Sequence, residues 1–141
     1  MYYIDQQQIE DRLQFLPYLI EACKQLQEKW YDTDVLLVLA QERLLHLAIE
    51  IVTDVGSLLI DGFLMRDASS YEDIVEIMIG EQVVSAELHQ PLITLVKLRK
   101  ALVLDYMKLD RVAIYPLLSS LPNVLQLWSE SVRTYMTNHI K

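Results

Sequence analysis

An all-α fold, an up-and-down bundle of about five helices, is what this sequence predicts, and three observations predict it. Only three glycines and four prolines punctuate 141 residues, so long helices are favoured over many short strands. Apolar residues recur at three- and four-residue steps along most of the chain, and no stretch alternates apolar with polar residues long enough for a sheet. Hydrophobic residues make up 52% of the chain, more than a small monomer hides comfortably, so the bundle is expected to pair as a homodimer. At this length one domain spanning residues 1–141 is the default.

The first helix is expected from Asp5 to about Lys29, because Ile9, Leu13, Leu16, Leu19, Ile20, Cys23 and Leu26 fall on one face. Pro17 should kink or break it by removing a backbone donor. Trp30 to Asp34 reads as a connection, with Asp34 or Thr33 as the next N-cap. The second helix, about Val35 to Asp61, is apolar on most of its circumference, with one narrow polar stripe of Glu42, His46, Glu50, Thr53, Ser57 and Asp61. Such a helix belongs at the centre of its bundle or in a dimer interface. Gly62 is its expected C-cap.

Met65 to Ser70 is a polar loop, after which Ser69 with Glu72, or Ser70 with Asp73, supplies a capping box for a short third helix stopping at Gly80. Ser85-Ala86-Glu87 resembles another helix start, and Pro91 divides a short helix from one running to about Tyr106. Asp110 caps a last helix to about Asn138, with Pro116 and Pro122 as kinks.

Several function classes are excluded at this stage. Glu42, Arg43, His46, Glu50, Asp54 and Asp61 interrupt the apolar run Val35 to Phe63, so it is no membrane span. Met1-Tyr2-Tyr3-Ile4-Asp5 has no basic region ahead of an apolar run, so a cytoplasmic protein without a secretory signal is expected. Cys23 is the sole cysteine, a structural thiol rather than part of a disulfide or metal cage. His46, His89 and His139 have no metal-like spacing, and no Gly-rich phosphate loop or hydrolase signature is present. No metal or cofactor is therefore expected. The net charge of −8 argues against a broadly basic nucleic-acid-binding surface. Locally the balance reverses, because Lys97, Arg99, Lys100, Lys108 and Arg111 face only Asp105 and Asp110 within their own segment.

That basic segment, Leu98-Arg99-Lys100-Ala101-Leu102-Val103-Leu104-Asp105-Tyr106-Met107-Lys108-Leu109-Asp110, resembles the hallmark of the HepT-like family of HEPN-domain proteins: an Arg, four to six residues, a His, any residue and a Tyr. Arg99 and Tyr106 match the Arg and the Tyr, and Leu104 occupies the His position. The run from Glu42-Arg43 to Ile60 is similar to the family's long second helix, Ser70-Tyr71-Glu72-Asp73-Ile74 to its Ser-Tyr motif, and Asp110 to the acid capping its final helix.

The resemblance implies a helical homodimer whose two protomers line a composite cleft, where in active members the Arg and His cleave RNA without a metal. It also implies a partner, a minimal nucleotidyltransferase antitoxin of the MntA type, which attaches AMP to the motif Tyr, here Tyr106. Attack by a ribose 2′-hydroxyl needs a group that exchanges protons near neutral pH, which His does and Leu cannot. The leading expectation is thus a relative of ribonuclease toxins with weak or lost activity. Two others stand beside it: an active ribonuclease in which His46, Tyr106 or Asp105 takes over proton transfer, and a non-catalytic RNA-binding or interaction module. Arg99 either retains a phosphate or pairs with Glu50 or Asp54 across the core. Tyr106 is either a modification site or a half-buried aromatic with a wet hydroxyl. The five bases either line the cleft as an anion site or lie outward, paired with Asp105 and Asp110.

Overall fold

The computed structural model describes residues 3–140 and, among them, contains helices and turns but no strand. Met1 and Tyr2, part of the stretch read above for a leader, lie outside the described residues, as does Lys141. In order the elements are α1 (Gln6–Lys29), α2 (Val35–Gly62), α3 (Tyr71–Gly80), a 3₁₀ turn (Ala86–Leu88), α4 (His89–Val96), α5 (Arg99–Val103), a second 3₁₀ turn (Tyr106–Lys108), α6 (Arg111–Ile114) and α7 (Leu117–His139).

Four acid or hydroxyl side chains start helices, three of them as the sequence implies and Asp5 in addition. Asp5 accepts from the Gln8 N–H, Asp34 from Leu36 and Leu37, Ser70 from Asp73, and Asp110 from Ala113. Each satisfies a backbone donor that the first turn leaves open. The box at α3 is Ser70 with Asp73, whose carboxylate reaches back to the backbone N–H of Ser69 at 2.9 Å and takes an Arg66 fork at 2.7 and 2.8 Å. Led by that fork, these contacts hold the Asp73 carboxyl well below the usual carboxylate range. Ser85 makes no such cap, and a 3₁₀ turn rather than an α-helix begins there.

Helix ends depart from the glycine rule. Gly62 and Gly80 are the last helical residues, and the left-handed position falls two residues later, on Leu64 (φ 58°) and Gln82 (φ 59°). The Met65 N–H then bonds Ile60 O, and that of Val83 bonds Met78 O, closing Schellman-type ends. Gly62 serves packing instead: a Cβ there would lie 2.6 Å from Ile4 Cδ1 and 3.0 Å from the Tyr3 carbonyl oxygen.

Prolines act by position. α1 runs through Pro17 without a break, and Pro91 occupies the first turn of α4, where its missing N–H costs nothing. Pro122 sits inside an unbroken α7. Pro116, by contrast, separates α6 from α7, so Asp110 caps a helix of only four residues instead of the long final one. The helix expected to reach Tyr106 also breaks, at Lys97–Leu98 and again after Val103. The Leu98 N–H bonds Leu95 O in a tightened turn, and those of Leu104 and Asp105 share Lys100 O.

α1 packs against both α2 and α7, while α3, α4 and α5 lie on the rest of α2. The core is built from Leu13, Leu16, Leu45, Ile49, Leu59, Leu92, Leu118, Leu125 and Trp128, all essentially inaccessible. α2 is therefore the core helix; even Thr53, placed above on its polar stripe, is buried with its hydroxyl donating to Ile49 O at 2.9 Å. Cys23 is buried too, and desolvation pushes its thiol up to about 11. No helix among the described residues is long and apolar enough to cross a membrane.

Candidate functional site

The polar stripe of α2 meets the short elements between Arg99 and Ile114, and the site lies along that seam. Glu42, His46 and Glu50 are spaced by four residues and so share one face. Each finds a partner there. Glu50 Oε1 accepts from Arg99 Nε at 2.9 Å and lies 3.5 Å from His46 Nε2. Asp54, the other acid considered for Arg99, is held by Arg12 at 3.3 Å.

Arg43, one turn before His46, sets that ring's protonation pattern. Its Nη1 lies 3.3 Å from His46 Nδ1, and since a guanidinium only donates, Nδ1 must accept. The neutral imidazole then carries its proton on Nε2, the ring nitrogen 3.5 Å from Glu50 Oε1. Arg99 is oriented further by Tyr71, whose ring centroid lies 4.1 Å from the guanidinium carbon, a cation–π contact. Tyr71 is in place because the Ser70–Asp73 box starts α3 at that residue.

Only the Nε of Arg99 is used. Its Nη1 and Nη2 have no hydrogen-bond partner among the described residues, and the side chain is 26% exposed. Arg111 is the opposite case. Its Nε and Nη2 hold both oxygens of Glu42 at 2.9 and 3.1 Å, while Nη1 and Nη2 also donate to the carbonyls of Leu109 and Tyr106. The fully buried Gln41 donates to the carbonyl of Arg111 itself at 3.3 Å. Arg111 is thus a staple with little left for a ligand.

The remaining bases are dispersed. Lys97 and Lys108 are exposed with no ion pair among the described residues, and Lys100 stands 3.9 Å from Asp105. Leu104 caps the end of α5 and is 64% exposed. Tyr106 lies in the 3₁₀ turn, 52% exposed, its hydroxyl unpartnered among the described residues. The helix ends at Val103, so Tyr106, which an unbroken helix would place on the face of Arg99, lies instead in the following 3₁₀ turn. No group of three His, Cys, Asp or Glu among the described residues could hold a metal ion.

Residues 7–130 match the family model described as ribonuclease HepT-like. The chain belongs to the HepT-like family. It is 34% identical over 140 residues to "Putative RNase YutE" of Bacillus subtilis (strain 168), across 99% of this chain and 95% of that protein. A solved structure described as the cytosolic protein of unknown function YutE from Bacillus subtilis superposes with a TM-score of 0.89 at 33% identity, covering 99% of this chain and 96% of that one. A toxin–antitoxin complex with AMP-PNP matches with a TM-score of 0.81 at 14% identity, covering 89% of this chain and 97% of that one. A tri-AMPylated Shewanella oneidensis HEPN toxin, in complex with an MNT antitoxin, gives 0.80 at 15%, covering 89% and 96%. At those identities the last two show the fold, which is the all-helical HEPN type.

Within this HepT-like chain the sequence pattern pointed to Arg99, Leu104 and Tyr106, to His46, Tyr106 or Asp105 as substitutes in proton transfer, and to Glu50 or Asp54 as a structural partner of Arg99. It assigned no site role to Arg43 or Tyr71. Arg43 carried a readable signal, since Arg43, His46 and Glu50 follow three- and four-residue steps on one helix. Tyr71 was legible only as part of the Ser-Tyr motif, because its contact with Arg99 joins residues far apart in the chain.

Proposed function

We propose that this HepT-like protein is a homodimeric RNA-binding relative of the ribonuclease toxins, one HEPN unit across residues 1–141, with weak or lost cleavage activity. The observation that carries this reading is the open guanidinium edge of Arg99 in a chain with an exposed Leu104 at the motif's His position: the phosphate-binding cation is retained and the motif imidazole is not. An anion can be clamped there, but proton transfer to or from the ribose and the leaving oxygen lacks its nearest donor. Leu36 and Leu39 on α2, and Met107 and Val112 on the short elements that follow Arg99, are exposed apolar side chains. A second protomer covering them would remove that surface from water, which supports the dimer. The exposed hydroxyl of Tyr106, unpartnered among the described residues, fits transfer of AMP by a nucleotidyltransferase antitoxin.

The test is incubation of the purified protein with structured and unstructured RNA, beside Arg99→Ala, with sedimentation to read the oligomeric state. Salt-sensitive RNA binding that needs Arg99, cleavage near background and a dimer at micromolar concentration are expected. A monomer that ignores RNA would overturn the reading.

A second reading is favoured by one contact: His46 reaches the same Glu50 oxygen as Arg99, so an imidazole does stand beside the clamp. In that case the protein is an active metal-independent ribonuclease, and rapid cleavage abolished by His46→Ala would establish it.

A further inference from the structure

Two donors from different helices converge on one oxygen in the seam. Arg99 Nε from α5 and His46 Nε2 from α2 both address Glu50 Oε1, at 2.9 and 3.5 Å. Arg43 holds the back of the imidazole, so that Nε2 remains a donor as long as the ring is neutral. Such a convergence of a guanidinium and an N–H is what a phosphate or sulfate oxygen seeks, and here the protein's own carboxylate fills the place. We infer that Arg99, His46 and Arg43 form a phosphodiester-binding cradle in which Glu50 is a built-in competitor that the RNA backbone must displace.

Local charge favours the exchange. One arginine contacts this carboxylate and a second stands behind the imidazole, while the neighbouring acids Glu42 and Asp54 are paired with Arg111 and Arg12. With Glu50 rotated into solvent, two fixed positive charges meet a singly charged phosphodiester. Glu50 and Arg99 are each only partly buried, at 31% and 26% side-chain exposure, so the carboxylate can leave without crossing packed core. Arg99 need not move. Tyr71 and the turn at Lys97–Leu98 hold it, and its Nη1 and Nη2 await acceptors.

The cradle differs from a diffuse lysine patch in what it requires. Lys97, Lys100 and Lys108 steer polyanions at long range but make none of the contacts described.

The inference rests on the reading that this seam meets RNA, and the experiment separates the two. Inorganic phosphate is titrated into the full-length protein while the His46 imidazole resonances are followed by NMR, and a short single-stranded RNA is titrated in parallel by fluorescence anisotropy. Removing the competitor with Glu50→Gln should tighten both ligands roughly two- to fivefold, the range set by a partly exposed ion pair of up to about 1 kcal/mol. Arg99→Lys, which keeps the charge but loses the fork, should weaken both, and Lys97→Ala with Lys100→Ala should leave phosphate binding unchanged. RNA binding that ignores Arg99→Lys and Glu50→Gln but falls with the lysines would overturn the cradle while leaving an RNA-binding protein. Phosphate binding with the expected variant pattern, but no RNA binding, would keep the cradle and overturn the RNA reading.

Discussion

Glu42 and Glu50 lie two turns apart on the same face of α2, and each pairs with an arginine from the second half of the chain, yet the two pairs do opposite work. Glu42 is 14% exposed and accepts both arms of Arg111, which also clamps the turn from Tyr106 to Leu109. Glu50 takes a single bond from Arg99 and leaves the outer edge of that guanidinium open. A saturated pair with a shielded carboxylate contributes stability; a half-satisfied one with a more exposed carboxylate keeps donors ready for a ligand at small cost. The residue types are the same in both, and the difference is the number of acceptors that the carboxylate and the surrounding backbone supply.

The largest expected effect probes the open pair. Leu104→His restores an imidazole at the exposed motif position, and RNA cleavage should rise roughly 10²- to 10⁴-fold over the wild type. Turnover of a labelled RNA measures it; an unchanged rate would mean that the break after Val103 holds position 104 too far from the clamp.

Next comes the staple. Arg111→Ala strands a shielded Glu42 carboxylate and frees the Tyr106–Leu109 turn, so urea denaturation should show a loss of about 2 kcal/mol. Arg99→Ala should cost less than about 1 kcal/mol. Equal losses would erase the distinction between the two pairs.

Tyr71→Leu should cost about 0.5 to 1 kcal/mol through the cation–π contact, and weaken RNA binding by more than Lys100→Ala does. An unaltered affinity would show that Glu50 and the backbone turn suffice to aim Arg99.

The smallest effect at neutral pH concerns the Arg66–Asp73 latch that starts α3 and so places Tyr71. Because the folded Asp73 carboxyl is held below its ordinary value of 3.8, the stabilisation it brings is complete above that value and is lost as pH falls through the folded one. The wild-type melting temperature should therefore fall more steeply below pH 4 than that of Asp73→Asn. Parallel acid profiles would show that the latch contributes nothing.

Helix identity was legible wherever a cap and a repeating apolar face coincided, as at Asp34 with α2 and Ser70 with α3. It was illegible where helices stop. No glycine or proline marks the turn at Lys97–Leu98, and the two left-handed residues that end α2 and α3 are Leu64 and Gln82, side chains that avoid that conformation. Those ends are imposed by what must be buried next, such as Val83 after Gln82, and not by local preference.

By itself the sequence determined the helical class, the core stripe of α2, the family, and the choice of Arg99 as the cation to watch, because periodicity, capping and short motifs are properties of neighbours along the chain. It also offered Glu50 as a partner for Arg99, but only as one of two acids a turn apart. Only the tertiary structure decided that Glu50 takes Arg99 while Asp54 takes Arg12, that Arg111 is a staple rather than a ligand donor, and that His46 and Tyr71 stand at the clamp. Those outcomes depend on which donors and acceptors from distant segments meet in a partly shielded seam, and pairwise geometry of that kind has no periodic trace in the chain.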